Sequence, residues 1–319
     1  MIRHLITEHD LSSGEITNIF RLTQELKKNK FKYPSFLKNK TVGLVFQKPS
    51  LRTRVSFEVG IRQLGGQCIY LGPEEINIGK REAIADVAKV LSRYLDVIIA
   101  RVFSNQDILS LAQSSTIPVI NGLCDLYHPC QALTDVYSVL EKFGTIKNKT
   151  LAYIGDGNNV CHSLMLVCAK MGLNIAIATP AKYEPNADIF KSAKVLAGLS
   201  GATVTLSHDP RAAVKGAHVI YSDVWVSMGQ EEETKKRLKD FQGFEINRPL
   251  TRLADKNFIF MHCLPAHRGQ EVSEDVIDSP NSIIFDQAEN RLHVQKAIMK
   301  FLLDQKAGKA KSIGASKKR

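Results

Sequence analysis

Long apolar runs are missing from this 319-residue chain. None approaches the ~18 residues that a membrane-spanning helix needs. The N-terminal segment MIRHLITEHD is charged and lacks the apolar core of a secretory signal. Cysteine is sparse, and no two cysteines form a C-x-x-C pair or another zinc-ligand spacing; the six are Cys68, Cys124, Cys130, Cys161, Cys168 and Cys263. We therefore expect no membrane span and no disulfide scaffold, and we expect a cytoplasmic protein with free thiols.

Acidic residues are absent from the last 14 positions, KAGKAKSIGASKKR, which hold six basic residues. The net charge of the whole chain is +11, so these six positions account for more than half of it and leave about +5 on the body. A large body with that charge requires no polyanionic partner. We interpret the segment as a solvated tail, with weak docking to RNA or an acidic partner as the alternative. No aromatic residue interleaves with its charges, so nucleic-acid binding is not expected.

Hydrophobic patterning indicates a regular alternation of strands and helices. TVGLVFQ and DVIIARVF are apolar strands in the first half, and the pattern restarts with KTLAYIGDG near residue 148. Near-continuous apolar strands joined by amphipathic helices are typical of parallel sheets covered by helices on both faces. Because 319 residues exceed the usual size of one core, we predict two doubly wound α/β domains linked by helices, with the helix near 131–143 between them.

The stretch FQKPSLRTRVSFEVG follows the first strand, and its first twelve residues include no acid. Ligands of open α/β sheets bind beyond the carboxyl ends of the strands, and the N–H groups at a helix start favour an anion. Ser50 and Thr53 add hydroxyl donors, and Arg52 adds a planar fork suited to phosphate. The stretch predicts a phosphate site. The alternative is a basic surface turn in which Arg54 is paired to a carboxylate.

Three further basic residues stand at element ends, two in the first half of the chain and one near its C-terminus. Arg101 follows the buried-type run DVIIA, where a charge is costly without a partner. YHPCQ places His128 and Gln131 in one loop, able to face a common point. Arg291 begins the last helix, where a cation opposes the helix dipole. These residues suit a bound anion or a carbonyl oxygen. The alternatives are that Arg101 forms a buried ion pair and that His128 is structural.

Polar residues also follow the strands of the second half. YIGDGNNVCHS resembles a dinucleotide-binding turn but has Val160 where the third glycine is required, so NAD binding is only weakly indicated. Asn158 and Asn159, at a helix start, suit a carboxylate instead. Asp223 and Ser227 in DVWVSMG suit an ammonium group, unless Asp223 merely begins a loop.

MHCLPAHRG, after the last strand, places Cys263 where it serves as a nucleophile or as a polar contact. Reactivity as a nucleophile requires a lowered thiol pKa. Metal binding by His262, Cys263 and His267 is the other interpretation, but the spacing matches no standard zinc site, so no metal is expected.

Taken together and in order, SLRTR, HPCQ, GDGNN, DVWVSMG, HCLPAHRG and AENR resemble the motifs of the carbamoyltransferase family, and of its ornithine-specific members. The resemblance runs from the first helix to about residue 305. It implies a carbamoyl-phosphate-binding domain at 1–135 completed by the C-terminal helix 289–305, an ornithine-binding domain at 150–288, and a basic tail at 306–319. It also implies an active site in the interdomain cleft, a homotrimer or a multiple of trimers, and no cofactor.

The same resemblance implies the site residues. For carbamoyl phosphate they are Ser50, Leu51 through its backbone, Arg52, Thr53, Asn77, Arg101, His128, Gln131, Cys263, Leu264 and Arg291; for ornithine they are Asn159, Asp223, Ser227 and Met228 through its backbone. The catalytic residues among them are Arg101, His128, Cys263 and Arg291. Two positions depart from the family pattern: Leu51 replaces the usual threonine, and Asn77 stands where relatives carry glutamine or histidine that reaches a neighbouring subunit.

The implied reaction transfers the carbamoyl group of carbamoyl phosphate to the side-chain amine of L-ornithine, giving L-citrulline and phosphate, in arginine biosynthesis or catabolism. Arg101, His128 and Thr53 are expected to stabilise the oxyanion, while Asp223 and a Cys263 thiolate are candidates for positioning or deprotonating the amine. The alternatives are another amine acceptor such as putrescine or an acylated ornithine, an NAD(P)-dependent oxidoreductase, and a non-catalytic phosphate- or RNA-binding protein.

Overall fold

The computed structural model describes residues 2–76, 81–227, 229 and 231–315. The chain divides into two compact units: unit 1 comprises Met1–Cys130 with Asn290–Arg319, and unit 2 comprises Gln131–Glu289. None of the helices in the described part of the chain is long and apolar enough to cross a membrane.

Unit 1 is built around a four-stranded parallel sheet of order β2-β1-β3-β4. Its strands are β1 (Thr41–Phe46), β2 (Gln67–Leu71), β3 (Val97–Arg101) and β4 (Val119–Leu123). Its first helices are α1 (Ser13–Lys28), α2 (Leu51–Gln63), α3 (Pro73–Ile76), α4 (Ile84–Tyr94) and α5 (Asn105–Ser114). Phe46 is level with Arg101 in the register of β1 and β3, so the turn into α2 begins beside the end of β3.

Unit 2 contains a five-stranded parallel sheet of order β7-β6-β5-β8-β9. Its strands are β5 (Thr150–Ile154), β6 (Asn174–Ala178), β7 (Val204–Ser207), β8 (Val219–Ser222) and β9 (Ile259–His262). Its helices are α6 (Pro129–Phe143), which starts two residues before the unit boundary, α7 (Asn159–Met171), α8 (Ala187–Ser200), α9 (Pro210–Val214), α10 (Thr234–Asp240), α11 (Arg248–Thr251) and α12 (Glu274–Ile277).

The central strands of unit 2 end at the same level. Ile154 is paired in register with Ser222, and Ser222 with His262. The loops that follow these three residues therefore meet at one edge of the sheet, which brings together the GDGNN, DVWVSMG and HCLPAHRG motifs.

The predicted fold class, two doubly wound parallel α/β sheets, is confirmed. Helix α2 begins at Leu51, because Ser50 caps it. The last helix, α13, runs over Ile284–Ala315, beginning before the predicted residue 289 and continuing through ten of the 14 tail positions. Lysine and alanine, which are frequent in that segment, both favour helix.

Candidate active site

The start of α2 in unit 1 presents backbone donors. The Ser50 side-chain oxygen accepts a hydrogen bond from the Thr53 N–H at 3.3 Å, and the first helical bond runs from the Arg54 N–H to the Ser50 carbonyl, also at 3.3 Å. The N–H groups of Leu51 and Arg52 precede that bond, so they lie where a helix start binds an anion. The Leu51 side chain is 73% exposed, so this position offers its backbone more than its side chain.

The two arginines of SLRTR have different surroundings. Arg54 donates to Glu58 at 2.8 Å, and its guanidinium stacks 3.7 Å from the centre of the Tyr70 ring. Arg52 is half-buried beside the helix start. Arg54 therefore has its partners within the protein.

A buried basic cluster lies next to this helix start. Arg291 donates through Nη2 to the Thr53 hydroxyl at 2.7 Å, which fixes both side chains. Arg101, at the end of β3, and His128, just before α6, are each 5% exposed. Burial, followed by the charges of Arg291 and Arg101, holds the pKa of His128 well below its usual value. The imidazole is therefore neutral and the two guanidinium groups create a positive potential there, an arrangement that favours an anionic ligand.

Gln131, the last residue of HPCQ, belongs to unit 2 and is fully buried. Its amide nitrogen donates to Asp135 at 2.8 Å. Its amide oxygen is buried and accepts no hydrogen bond from any residue that the structure describes. The group that Gln131 has available is therefore an acceptor.

Asp223 is the centre of the polar edge of unit 2. One carboxylate oxygen accepts from the Asn158 amide at 2.8 Å, and the other accepts from the Val224 N–H at 2.8 Å and from the Cys263 thiol at 2.9 Å. A carboxylate has about four acceptor positions, so this one retains capacity for a further donor.

Asn158 and Asn159 have different roles at the start of α7. The Asn158 side-chain oxygen caps α7 by accepting from the N–H groups of Val160 and Cys161 at 3.0 and 3.2 Å, which assigns Asn158 to the scaffold. Asn159 follows as the first residue of α7. Ser227 is half-buried, whereas Met228 and Asn77 lie outside the described residues.

The surroundings of Cys263 favour a neutral thiol over the thiolate that was one candidate for activating the amine. Burial of its sulfur and the neighbouring Asp223 and Asp135 charges raise the pKa of Cys263 well above its usual value. The thiol donates to Asp223, so its place is that of a polar contact. Leu264 follows in the left-handed region, with φ of 58°, which non-glycine residues adopt mainly where the surroundings require it.

His262 is a structural residue. Its Nδ1 accepts from the Leu264 N–H at 2.9 Å, and its Nε2 lies 3.3 Å from the buried Glu271 carboxylate. Potential ligand atoms of His262, Cys263 and Asp223 lie within 4.8 Å of one another, as in a metal site. Because Nδ1 uses its lone pair to accept from Leu264, the hydrogen of the neutral ring is on Nε2, and His262 has no lone pair left for an ion.

The GDGNN turn is built for protein packing. A Cβ on Gly157 would lie 2.2 Å from the Pro185 nitrogen and 2.6 Å from the Tyr183 carbonyl, so only glycine fits beneath that loop. Asp156 is paired with Arg237 at 2.8 Å. The second glycine thus serves the approach of a protein segment, which argues against a dinucleotide turn.

Several residues of this edge were not singled out from the sequence. Arg237 joins the Asp156 loop to the DVWVSMG loop by also donating to the Trp225 carbonyl at 2.9 Å. Asp135 and Gln287 form a buried network with Gln131. A helical glutamine or aspartate has no local pattern that identifies its partner, so no sequence signal could have found them.

Comparison with known families matches both halves of the chain. The carbamoyl-phosphate-binding domain of aspartate/ornithine carbamoyltransferase matches residues 3–141, and the aspartate/ornithine-binding domain matches residues 147–302. This chain belongs to the aspartate/ornithine carbamoyltransferase family. Among carbamoyltransferases, the ornithine carbamoyltransferase of Thermococcus kodakarensis is 51% identical, over 94% of this chain and 96% of that protein. The anabolic ornithine carbamoyltransferase of Pyrococcus furiosus is 50% identical with the same coverage.

Solved carbamoyltransferase structures agree. The ornithine carbamoyltransferase structure from Pyrococcus furiosus superposes with a TM-score of 0.91 at 50% identity, over 94% of this chain and 96% of that one. A mutant N-acetyl-L-ornithine transcarbamylase superposes with a TM-score of 0.85 at 33% identity, over 94% and 100%. The carbamoyltransferase fold thus serves more than one amine acceptor, so the acceptor must be argued from the site.

Proposed function

We propose that the chain acts as an ornithine carbamoyltransferase, transferring the carbamoyl group of carbamoyl phosphate to the side-chain amine of L-ornithine, with L-citrulline and phosphate as products. The observation that carries this is the buried basic cluster of Arg101, His128 and Arg291 beside the anion-binding start of α2. Unit 1 is assigned to carbamoyl phosphate and unit 2 to ornithine, in line with the two family domains. A relative named anabolic supports a place in arginine biosynthesis.

The phosphate end of carbamoyl phosphate is assigned to the start of α2. The N–H groups of Leu51 and Arg52 and the hydroxyl of Ser50 supply neutral donors, and the Arg52 guanidinium supplies charge. As the bond from carbon to the phosphate oxygen breaks, charge grows on phosphate, and these donors stabilise it.

The carbonyl oxygen is assigned to Arg101, His128 and Thr53, with Arg291 holding Thr53 in place. Attack by the neutral amine nitrogen forms a C–N bond and puts negative charge on this oxygen. The carbonyl then re-forms as the bond from carbon to the phosphate oxygen breaks, and the nitrogen releases its extra proton to the departing phosphate or to solvent. A neutral imidazole still carries one N–H group, and this group can donate a hydrogen bond to the oxygen. Preorganised donors of this kind contribute about 3–4 kcal/mol each to transition-state stabilisation.

The carbamoyl NH2 group is assigned to Gln131. Its amide oxygen, buried and without a donor among the described residues, matches a ligand that presents N–H groups. The phosphate oxygens present no N–H groups, so Gln131 is assigned to the carbamoyl end of the substrate.

Ornithine is assigned to the edge of unit 2. Asp223 and Ser227 bind the free α-amino group, Asn159 binds the α-carboxylate, and the Cys263 thiol holds the Asp223 carboxylate in orientation. The backbone of Met228 completes the ornithine set implied by the family, while Leu264 belongs to the carbamoyl-phosphate set. An acylated amine has no charge to pair with Asp223, which favours free ornithine over acetylornithine.

Product identification tests the function. The protein is incubated with carbamoyl phosphate and, in turn, ornithine, putrescine, N-acetylornithine and aspartate, and the carbamoylated product is identified by mass spectrometry. Citrulline is the expected product, with the other acceptors at background. Carbamoylation of another acceptor alone would reassign the substrate, and a thermal shift with NAD(P)H but none with carbamoyl phosphate would favour the oxidoreductase.

We also propose a homotrimer, or a multiple of trimers, in the cytoplasm. Val55 and Val59 lie one turn apart on α2 and are 46% and 38% exposed; Ile69, on the edge strand β2, is 48% exposed. An apolar helix face and an exposed sheet edge in one unit suit contact with another copy of the chain, and the family resemblance supplies the number three. All six cysteines are free thiols, in keeping with a reducing compartment.

Light scattering after size-exclusion chromatography measures the assembly. The wild type is expected at three protomers or a multiple of three, and Val59→Glu is expected to shift it towards smaller species. Leu199→Glu, at an 82% exposed position on α8 of unit 2, is the matched control and should leave the assembly unchanged. A monomeric wild type would refute the proposal.

A further inference from the structure

A chain of buried hydrogen bonds in unit 2 connects the end of β9 to Gln131. The His262 N–H donates to the Gln287 amide oxygen at 3.0 Å, and the Gln287 amide nitrogen donates to Asp135 at 2.7 Å. The Gln131 amide nitrogen donates to the same Asp135 oxygen at 2.8 Å. All four residues are at most 1% exposed.

In this chain of hydrogen bonds, chemistry determines which group donates and which accepts. A backbone N–H can only donate, so Gln287 must turn its amide oxygen towards His262 and its NH2 group towards Asp135. The second Asp135 oxygen accepts from the Tyr221 hydroxyl at 3.0 Å. A carboxylate surrounded by three donors acts as an acceptor only, so Gln131 must also present its NH2 group. Reversing either amide would place two acceptors face to face inside the protein, where no water can separate them.

We propose that Asp135 and Gln287 are positioning residues that hold the Gln131 amide with its oxygen turned towards the substrate. This rests on the proposed function, in which that oxygen accepts from the carbamoyl NH2 group. Asp135 touches no substrate and acts through Gln131. Through Tyr221 and His262, the same chain connects Gln131 to the two strands whose ends carry Asp223 and Cys263.

Steady-state kinetics of four variants test the proposal. Asp135→Ala removes the acceptor, and kcat/KM for carbamoyl phosphate is expected to fall about 10- to 100-fold, as a misplaced substrate contact does. The KM for ornithine should change less than about threefold. Asp135→Asn keeps an oxygen that can accept from both glutamines, so this variant should keep most of the kcat/KM that Asp135→Ala loses. Gln287→Met removes the hydrogen bond from Gln287 to Asp135 and should cause the same fall in kcat/KM for carbamoyl phosphate.

A double-mutant cycle with Gln131→Ala is the decisive readout. If Asp135 acts through Gln131, then Asp135→Ala should cost less than about threefold once Gln131 has been truncated. Ser138→Ala is the matched control, since it removes a different buried hydrogen bond, the 2.8 Å bond to the Thr134 carbonyl on the same helix. It should lower the melting temperature without a defect specific to carbamoyl phosphate.

Two results of these measurements would overturn the proposal. One is an equal loss of kcat/KM from Asp135→Ala in the wild-type and Gln131→Ala backgrounds. The other is an Asp135→Asn variant as impaired as Asp135→Ala. If Asp135→Ala does not fold, the cycle between Gln287→Met and Gln131→Ala decides by the same criterion. Citrulline formation by the wild type is measured in the same assay, and its absence would refute the proposed function instead.

Discussion

Lys296 has a buried ammonium group whose electrostatic cost can be measured through pH. It lies on α13 in unit 1, is 0% exposed, and donates to the Gln63 side chain at 2.6 Å and the Lys30 carbonyl at 3.2 Å. Burial, followed by the nearby Lys30 charge, lowers the pKa of Lys296 to about 8, from an ordinary value of 10.5. A buried lysine bonded to two neutral oxygens destabilises the folded protein while it is charged.

The sign follows from proton counting. Below pH 8 both the folded and the unfolded chain hold the proton, and the full cost is present. Between about pH 8 and 10.5 the unfolded chain holds a proton that the folded chain has lost, so the free energy of unfolding rises with pH. The gap between the two pKa values, at 1.36 kcal/mol per unit, corresponds to about 3 kcal/mol in total.

Lys296→Met keeps the apolar stem, which packs against Gly60 of α2, and removes the charge. It leaves the Gln63 and Lys30 oxygens without this donor, at a cost of about 1 kcal/mol. We therefore expect the variant to be more stable than the wild type by about 2 kcal/mol at pH 7, and less stable than the wild type by about 1 kcal/mol at pH 10.5.

Urea unfolding at one fixed protein concentration, from pH 7 to 10.5, measures this difference. Lys89→Met is the control, because Lys89 is an exposed lysine with a side chain 66% accessible. Its stability difference from the wild type should stay constant with pH. If the Lys296→Met difference also stays constant within about 0.5 kcal/mol, the buried charge carries no such cost and the reasoning is refuted.

Three further predictions concern the site. Arg52→Ala should weaken carbamoyl-phosphate binding about 10- to 100-fold and ornithine binding much less, as measured by calorimetry, because it removes a charged donor to phosphate; Arg54→Ala, whose partner is Glu58, is the control, and equal losses for both ligands would contradict the role of Arg52. The rate of citrulline formation should rise from pH 6 to above 8, because the attacking amine must lose a proton with a pKa near ~10.4; a flat profile with chemistry rate-limiting would count against this step. Gly157→Ala should destabilise unit 2 by about 1–3 kcal/mol in thermal unfolding, because its Cβ would collide with backbone at Pro185. Gly198→Ala, with open space around it, should not, and a Gly157→Ala protein as stable as that control would show that the loop yields freely.

Local patterns predicted the order of elements well. The apolar strands and amphipathic helices alternate as their periodicity indicates, and a capping box from Ser12 to Glu15, a pattern visible in the sequence, begins α1. Short helices such as α9 and α12 were not predicted, because four or five residues contain too little periodicity to identify a helix.

The chemistry of individual side chains was less predictable. The sequence permits Cys263 to be a thiolate, but burial and the adjacent Asp223 keep it protonated. His128 is neutral for a related reason, since two arginines distant in sequence lie near a buried imidazole. Titration depends on solvent access and on nearby charges, and neither can be read from neighbours along the chain.

The sequence by itself determined the two parallel α/β sheets, the helix start at SLRTR and the residue types gathered at strand ends, because each depends on periodicity, capping and local chemistry. Only the tertiary structure decided which arginine is paired internally, which of Asn158 and Asn159 belongs to the scaffold, and that the Gln131 amide presents its oxygen. Those outcomes depend on partners such as Asp223 and Asp135, brought close by the level strand ends and by helix packing, and a hydrogen bond acquires its direction only when both of its groups are in place.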